Sequence, residues 1–137
     1  ARTVFRSPVT KTIVPIDVTS QVVFGYDLLE KLPRAGSRTG ALLRELLPGA
    51  FRAHRQRLGL EGIYVHDVVA LVAALHPELF TTEPMHGDVE TEGDLTHGVT
   101  VFDRRARPED SPNMEVAVDV NEAGVVDCIL RGLAQAA

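Results

Sequence analysis

A single cysteine, Cys128, stands in the 137-residue chain, which excludes an intrachain disulfide framework and a cysteine-rich zinc site. No apolar run approaches the roughly 20 residues that a bilayer-spanning helix needs. The first residues, Ala1 to Arg6, lack the apolar stretch of a signal peptide, so a soluble, cytoplasmic protein without a membrane partner is expected. Lysine and arginine total 14 against 19 aspartate and glutamate, and no long basic run occurs, which points away from nucleic acid as a partner. Neither the dinucleotide-binding glycine pattern nor the P-loop pattern is present. No Gly-x-Ser-x-Gly elbow supports a serine nucleophile. His54, His76, His86 and His97 are scattered, without a metal-ligand partner at helical i, i+4 spacing.

What is present is the composition of one globular region, 45% hydrophobic and 24% charged, without repeats or low-complexity tracts. Lys11 to Thr19 is a β-branched apolar run that reads as a strand covered on both faces, with hydrogen bonding ending near Pro15. Open α/β sheets place ligands at the polar end of such a strand, here Asp17 to Thr19. Tyr26 to Leu32 reads as a short helix stopped by Pro33, and Arg34 to Gly40 as a loop. Leu42, Leu43, Leu46 and Leu47 have helical spacing that Phe51, His54 and Leu58 continue beyond Pro48-Gly49, so two helical pieces are expected. After a turn at Gly59 to Gly62, His66-Asp67 opens an all-apolar segment, Val68 to Leu75, that predicts a buried helix closed by His76-Pro77.

Met85 to Glu92 and Thr96 to Arg104 suggest two strands joined at Gly93-Asp94-Leu95, followed by a polar loop from Arg105 to Pro112. Met114, Val116, Val118 and Val120 alternate with polar or small residues, the period of a strand with one buried face. Asn121 is placed to cap a helix whose apolar stripe is Val125, Val126, Ile129, Leu130 and Leu133.

His66-Asp67 is the strongest chemical candidate, because an imidazole stands beside a carboxylate at the head of an apolar helix. The aspartate could bind a hard cation while the histidine serves a leaving group; equally, Asp67 could simply cap the helix. The cluster from Arg52 to Arg57, with His54 inside it, reads either as a substrate or phosphate contact or as an exposed helical face. Asp88, Glu90, Glu92 and Asp94 echo a calcium loop, but the twelfth position is Val99 where a bidentate glutamate is required, so solvated hairpin faces explain them better.

Taken in order, several stretches resemble the inosine-uridine nucleoside hydrolase family. Thr12 to Thr19 (Thr-Ile-Val-Pro-Ile-Asp-Val-Thr) is similar to the family's Val-Pro-Leu-Asp-Val-Thr strand. Val65-His66-Asp67 matches its His-Asp-Pro motif, and Pro77 to Thr82 follows at the right distance. The hairpin from Val89 to Gly98 and the strand from Pro112 to Asp119 complete a set that covers nearly the whole chain.

The resemblance implies the C-terminal part of an open, mostly parallel Rossmann-like α/β sheet with an added β-hairpin, residues 1–137 being a portion of one domain. It implies a hydrolase that uses a calcium ion and a water to split a ribonucleoside into base and ribose. Asp67 matches the family's C-terminal calcium ligand, and His66 the residue that protonates or orients the departing base; His54 is a candidate contact to the base. Val68 replaces the family's proline. The aspartate-rich N-terminal cluster has no counterpart here, and one carboxylate does not hold calcium, which takes six to eight oxygens. The chain alone is therefore expected to be inactive until the N-terminal half of the same enzyme completes it, and the family suggests a homo-oligomer. The alternative is a non-catalytic ligand-binding or assembly domain derived from the same fold.

Overall fold

A computed structural model describes residues 1–34 and 36–136. Helices α1 (Arg2–Phe5), α2 (Ile16–Thr19), α3 (Leu28–Lys31), α4 (Arg38–Leu58), α5 (His66–Leu75) and α6 (Glu122–Gln135) are interspersed with seven strands. The strands are β1 (Thr12–Ile13), β2 (Val23–Phe24), β3 (Ile63–Tyr64), β4 (Phe80–Met85), β5 (Gly87–Val89), β6 (Thr100–Phe102) and β7 (Met114–Val120). Two compact units interleave along the chain: 1–15 with 81–119, and 16–80 with 120–137.

The first unit carries a three-stranded sheet in the order β1-β7-β4, with β1 and β7 parallel and Ile13 opposite Val116. Its core is Phe5, Met85, Val89, Met114 and Val116. The alternation that predicts a strand over 114–120 is matched by β7, although Ala117 is buried as well as Met114 and Val116. Burial of adjacent Val116 and Ala117, whose side chains point to opposite faces, means that both faces of the strand are covered at this point. Strand β4 carries Pro84, which an edge position tolerates because one row of backbone groups needs no ladder partner. The expected hairpin is present in shortened form as antiparallel β5 and β6, with Asp88 opposite Val101.

The second unit holds antiparallel β2 and β3 and a core of Val22, Phe24, Leu28, Leu32, Phe51, Ile63, Val69, Val72 and Val125. Asn121 caps α6 as expected, its side-chain oxygen accepting the Gly124 N–H at 3.1 Å. Val126, Ile129, Leu130 and Leu133 pack against the core beside buried Val125, so the helical stripe is real.

Five expectations need correction. The strand read over 11–19 stops at Ile13, and Ile16–Thr19 is a helical turn closed by the Ser20 N–H on the Ile16 carbonyl at 2.9 Å. Pro15 ends the ladder and precedes a helical start, where its missing N–H is harmless. The helix read over 26–32 is confined to Leu28–Lys31. The loop read over 34–40 is shorter, because Ser37 caps α4 by accepting the Gly40 N–H; Ala35 within it lies outside the described residues. The two helical pieces are one 21-residue helix containing Pro48, anchored by Phe51 and ended by Gly59 at φ 68°. Proline deletes one hydrogen bond and strains one carbonyl, and packing of Leu43, Leu47, Ala50 and Phe51 on the core overrides that. Last, α5 is not buried all round: Val69 and Val72 face the core while Leu71 and Leu75 are 58% and 66% exposed.

Candidate active site

The head of α5 follows directly from β3, so the short strand delivers Tyr64, Val65 and then His66-Asp67 to one place. Val65 is the N-cap residue, and its carbonyl takes the N–H groups of Val68 and Val69 at 3.0 and 3.1 Å. No side chain caps this helix. Asp67 is therefore not the helix cap that one reading of the sequence offers. Its exposed carboxylate makes no hydrogen bond or ion pair with other described residues, while the helix start favours negative charge there.

His66 is held on two sides. Its Nδ1 lies 2.8 Å from Oγ1 of Thr19, a hydroxyl at the end of α2 that is only 2% exposed. Its ring stacks on Tyr64, with centroids 5.3 Å apart and planes inclined by 26°. Tyr64 also meets His54 edge-on at 6.3 Å, so the tyrosine ring contacts both candidate imidazoles. His54 projects from α4 and its Nδ1 lies 3.0 Å from the Ala50 carbonyl. A carbonyl only accepts, so Nδ1 of His54 carries a proton and is committed to its own helix. The structure thus brings His54 and His66 to opposite ends of a three-ring series, and sets Asp67 next to His66.

Thr19 lies in the stretch from Asp17 to Thr19 where the sequence places a ligand at a strand end, but it reaches His66 from the end of the helical turn α2 instead. Tyr64 has no comparable signal. Arg52, Arg55 and Arg57 lie exposed along α4, the bland alternative for that cluster.

Among the described residues no group of three or more histidine, cysteine, aspartate or glutamate side chains is placed to hold a metal ion. Asp88, the first acid of the calcium-loop echo, is used otherwise: it pairs with Arg6 at 2.6 Å and Arg2 at 3.3 Å. The Arg6 guanidinium, then a backbone N–H, hold its carboxyl well below the usual carboxylate range. Glu90 accepts the N–H groups of Glu92 and Gly93, which places it in a turn. His76 and His86 bond Glu78 and the Ser111 carbonyl and belong to no common cluster. No helix is long and apolar enough to cross a membrane among the described residues.

Residues 1–127 match the family model described as inosine-uridine preferring nucleoside hydrolase. The non-specific ribonucleoside hydrolase RihC of Salmonella paratyphi A is 37% identical over 118 residues, covering 86% of this chain and 37% of that protein. RihC of Escherichia coli O157:H7 is 34% identical over 134 residues, covering 98% of this chain and 42% of that one. Among solved structures, a plant nucleoside hydrolase, the PpNRh1 enzyme, superimposes with a TM-score of 0.85 at 28% identity, over 97% of this chain and 44% of that one. A purine-preferring ribonucleoside hydrolase from Gardnerella vaginalis gives 0.84 at 28% identity, over 100% and 44%. The chain spans about two fifths of the length of the curated relatives it matches. Its mixed α/β arrangement of small open sheets corresponds to part of the nucleoside hydrolase fold.

Proposed function

The chain belongs to the inosine-uridine preferring nucleoside hydrolase family, and from that premise we propose that it supplies the His66-Asp67 part of a calcium-dependent ribonucleoside hydrolase site. The observation that carries this reading is the head of α5, where Asp67 is exposed and uncapped while His66 is fixed by Thr19 and Tyr64. A purely structural Asp67 would be spent on the helix N-terminus; here its oxygens remain available.

Cleavage of a bond between ribose and base leaves positive charge developing on the sugar and negative charge on the departing base. His66 meets the second requirement, as an oriented imidazole able to donate a hydrogen bond to a base nitrogen. Asp67 meets part of the first. Calcium takes six to eight oxygens, so the residues of this chain do not by themselves make a calcium site. Asp67 is suited to be one ligand of a set completed by the remainder of the domain, which the relatives possess and this chain does not span. In that complete domain the parallel pair of β1 and β7 would belong to a larger, mostly parallel Rossmann-like sheet. His54, turned toward Tyr64, is the proposed contact to the base. The ribonucleoside is the proposed substrate, and a homo-oligomer the proposed assembly.

The test is to join the chain to the N-terminal half of a family relative, by fusion or co-expression, and to measure ribose release from inosine and uridine with and without a chelator. Release that chelation stops, and that His66→Asn lowers by about 10²-fold or more, is the expected result. A completed protein that binds nucleoside but releases no ribose would identify a non-catalytic binding domain instead.

A further inference from the structure

We propose that Thr19 is a positioning residue that sets the tautomer of His66, leaving the ring proton on Nε2. The inference rests on the proposed hydrolase reading for its consequence, but not for its geometry. Thr19 is 2% exposed, so its hydroxyl proton must be given to a protein acceptor rather than to solvent. Two acceptors are in range: the Ile16 carbonyl at 3.4 Å and Nδ1 of His66 at 2.8 Å. Hydroxyl-donated bonds normally span about 2.5–3.0 Å, and the 3.4 Å contact to Ile16 falls outside that range while the 2.8 Å contact to His66 falls within it, so the proton is assigned to the line to Nδ1. A nitrogen that accepts is one that carries no proton, and in a neutral imidazole the other nitrogen then carries it. Among the described residues Nε2 has no hydrogen-bond partner of its own.

Tyr64 completes the device. By stacking on the ring it restrains rotation out of plane, so the Nδ1 lone pair stays directed at Thr19. Were the hydroxyl turned to Ile16 instead, Nδ1 would have to be the donor, and a neutral His66 would offer only a lone pair at Nε2. Such a ring could accept from a leaving base but not donate to it. A hydroxyl 47 residues away in sequence thereby decides which role His66 plays.

The experiment uses the completed enzyme with Thr19→Val, which keeps the side-chain shape without the hydroxyl, and Thr19→Ser, which restores it. Two substrates are compared: inosine, whose base leaves with help, and a nitrophenyl riboside, whose phenolate leaves without it. With Thr19→Val, kcat on inosine should fall by about tenfold or more while KM and nitrophenyl riboside hydrolysis change by less than about twofold, because only assistance to the leaving group is lost. Thr19→Ser should recover most of the activity on inosine. Equal losses on both substrates, or none on either, would overturn the proposal. If the completed wild-type enzyme cleaves neither, the hydrolase reading fails, and 15N spectra of histidine-labelled protein, assigned with His66→Asn, decide the tautomer alone. An unprotonated Nδ1 that shifts on Thr19→Val supports the assignment; a protonated Nδ1 in the neutral ring overturns it.

Discussion

Helix α4 offers a quantitative check, because two of its glycines have the same helix propensity but different surroundings. An alanine Cβ at Gly49 would meet nothing within 4 Å. Gly49 lies well inside the 21-residue helix, so Gly49→Ala should gain the full propensity difference of about 1 kcal/mol. For a chain of this size that is an increase in Tm of about 3 °C. At Gly40, in the first turn, a Cβ would collide with the Arg34 carbonyl oxygen and lie 2.7 Å from that of Pro33. Both obstacles are backbone and cannot rotate away, so Gly40→Ala must displace the segment before the helix. Overpacking of this kind costs about 1–3 kcal/mol and outweighs the propensity gain. Urea unfolding of both variants in one background reads the two signs directly. A destabilising Gly49→Ala would mean that Pro48-Gly49 really divides the helix, as the sequence pattern suggests, and that the continuous α4 carrying His54 is wrong. A stabilising Gly40→Ala would refute the close approach of the 33–34 backbone.

Asp88 predicts a pH dependence. Its carboxyl is held low in the folded protein by Arg6 and Arg2, so the pairing contributes fully above the ordinary aspartate range and is lost as pH falls from about 4 toward the lower folded value. Denaturant titrations between about pH 2 and pH 5 should show a shallower acid slope for Asp88→Asn than for the parent, and an unchanged slope would show that these exposed pairs are fully screened. Leu71 and Leu75 on α5 give a third test: replacing both with lysine should raise the solubility of the isolated chain and weaken its association with the complementing half. Full association of the double variant would mean that this face stays in water in the complete domain.

Local chemistry made much of the fold legible. The valine alternation over 114–120 and the asparagine that follows need only nearest neighbours to act, and β7 and the Asn121 cap are where those signals point. Helix α5 starts at His66, where the sequence places it, although the aspartate that suggested the start is not its cap. Expectations failed where packing opposes local preference. Proline at position 48 argues for a break, but the packing of Leu43, Leu47, Ala50 and Phe51 on the core together outweighs the roughly 3 kcal/mol that an interior proline costs. Strand β4 offered no signal, since most of its residues are exposed and Pro84 argues against a strand unless an edge position is already known. The all-apolar composition of α5 suggested uniform burial, whereas the described residues cover only the Val69 and Val72 face.

The site divides along the same line. His66 and Asp67 are adjacent in sequence, so their pairing at a helix head could be seen without coordinates. What turns that pair into a directed donor and a free carboxylate could not. The choice between a capping and an available Asp67 depends on whether its oxygens turn back to the helix N–H groups, and Asn121 shows that a capping side chain in this same chain does turn back, at 3.1 Å. The same holds for His66, whose chemistry depends on one hydroxyl reached across 47 residues and one ring placed two residues before it. A His-Asp pair in the sequence therefore specifies the participants; the proton's position on the imidazole is specified by the packing of α2 against α5, which buries Thr19 and leaves its hydroxyl a single well-placed acceptor.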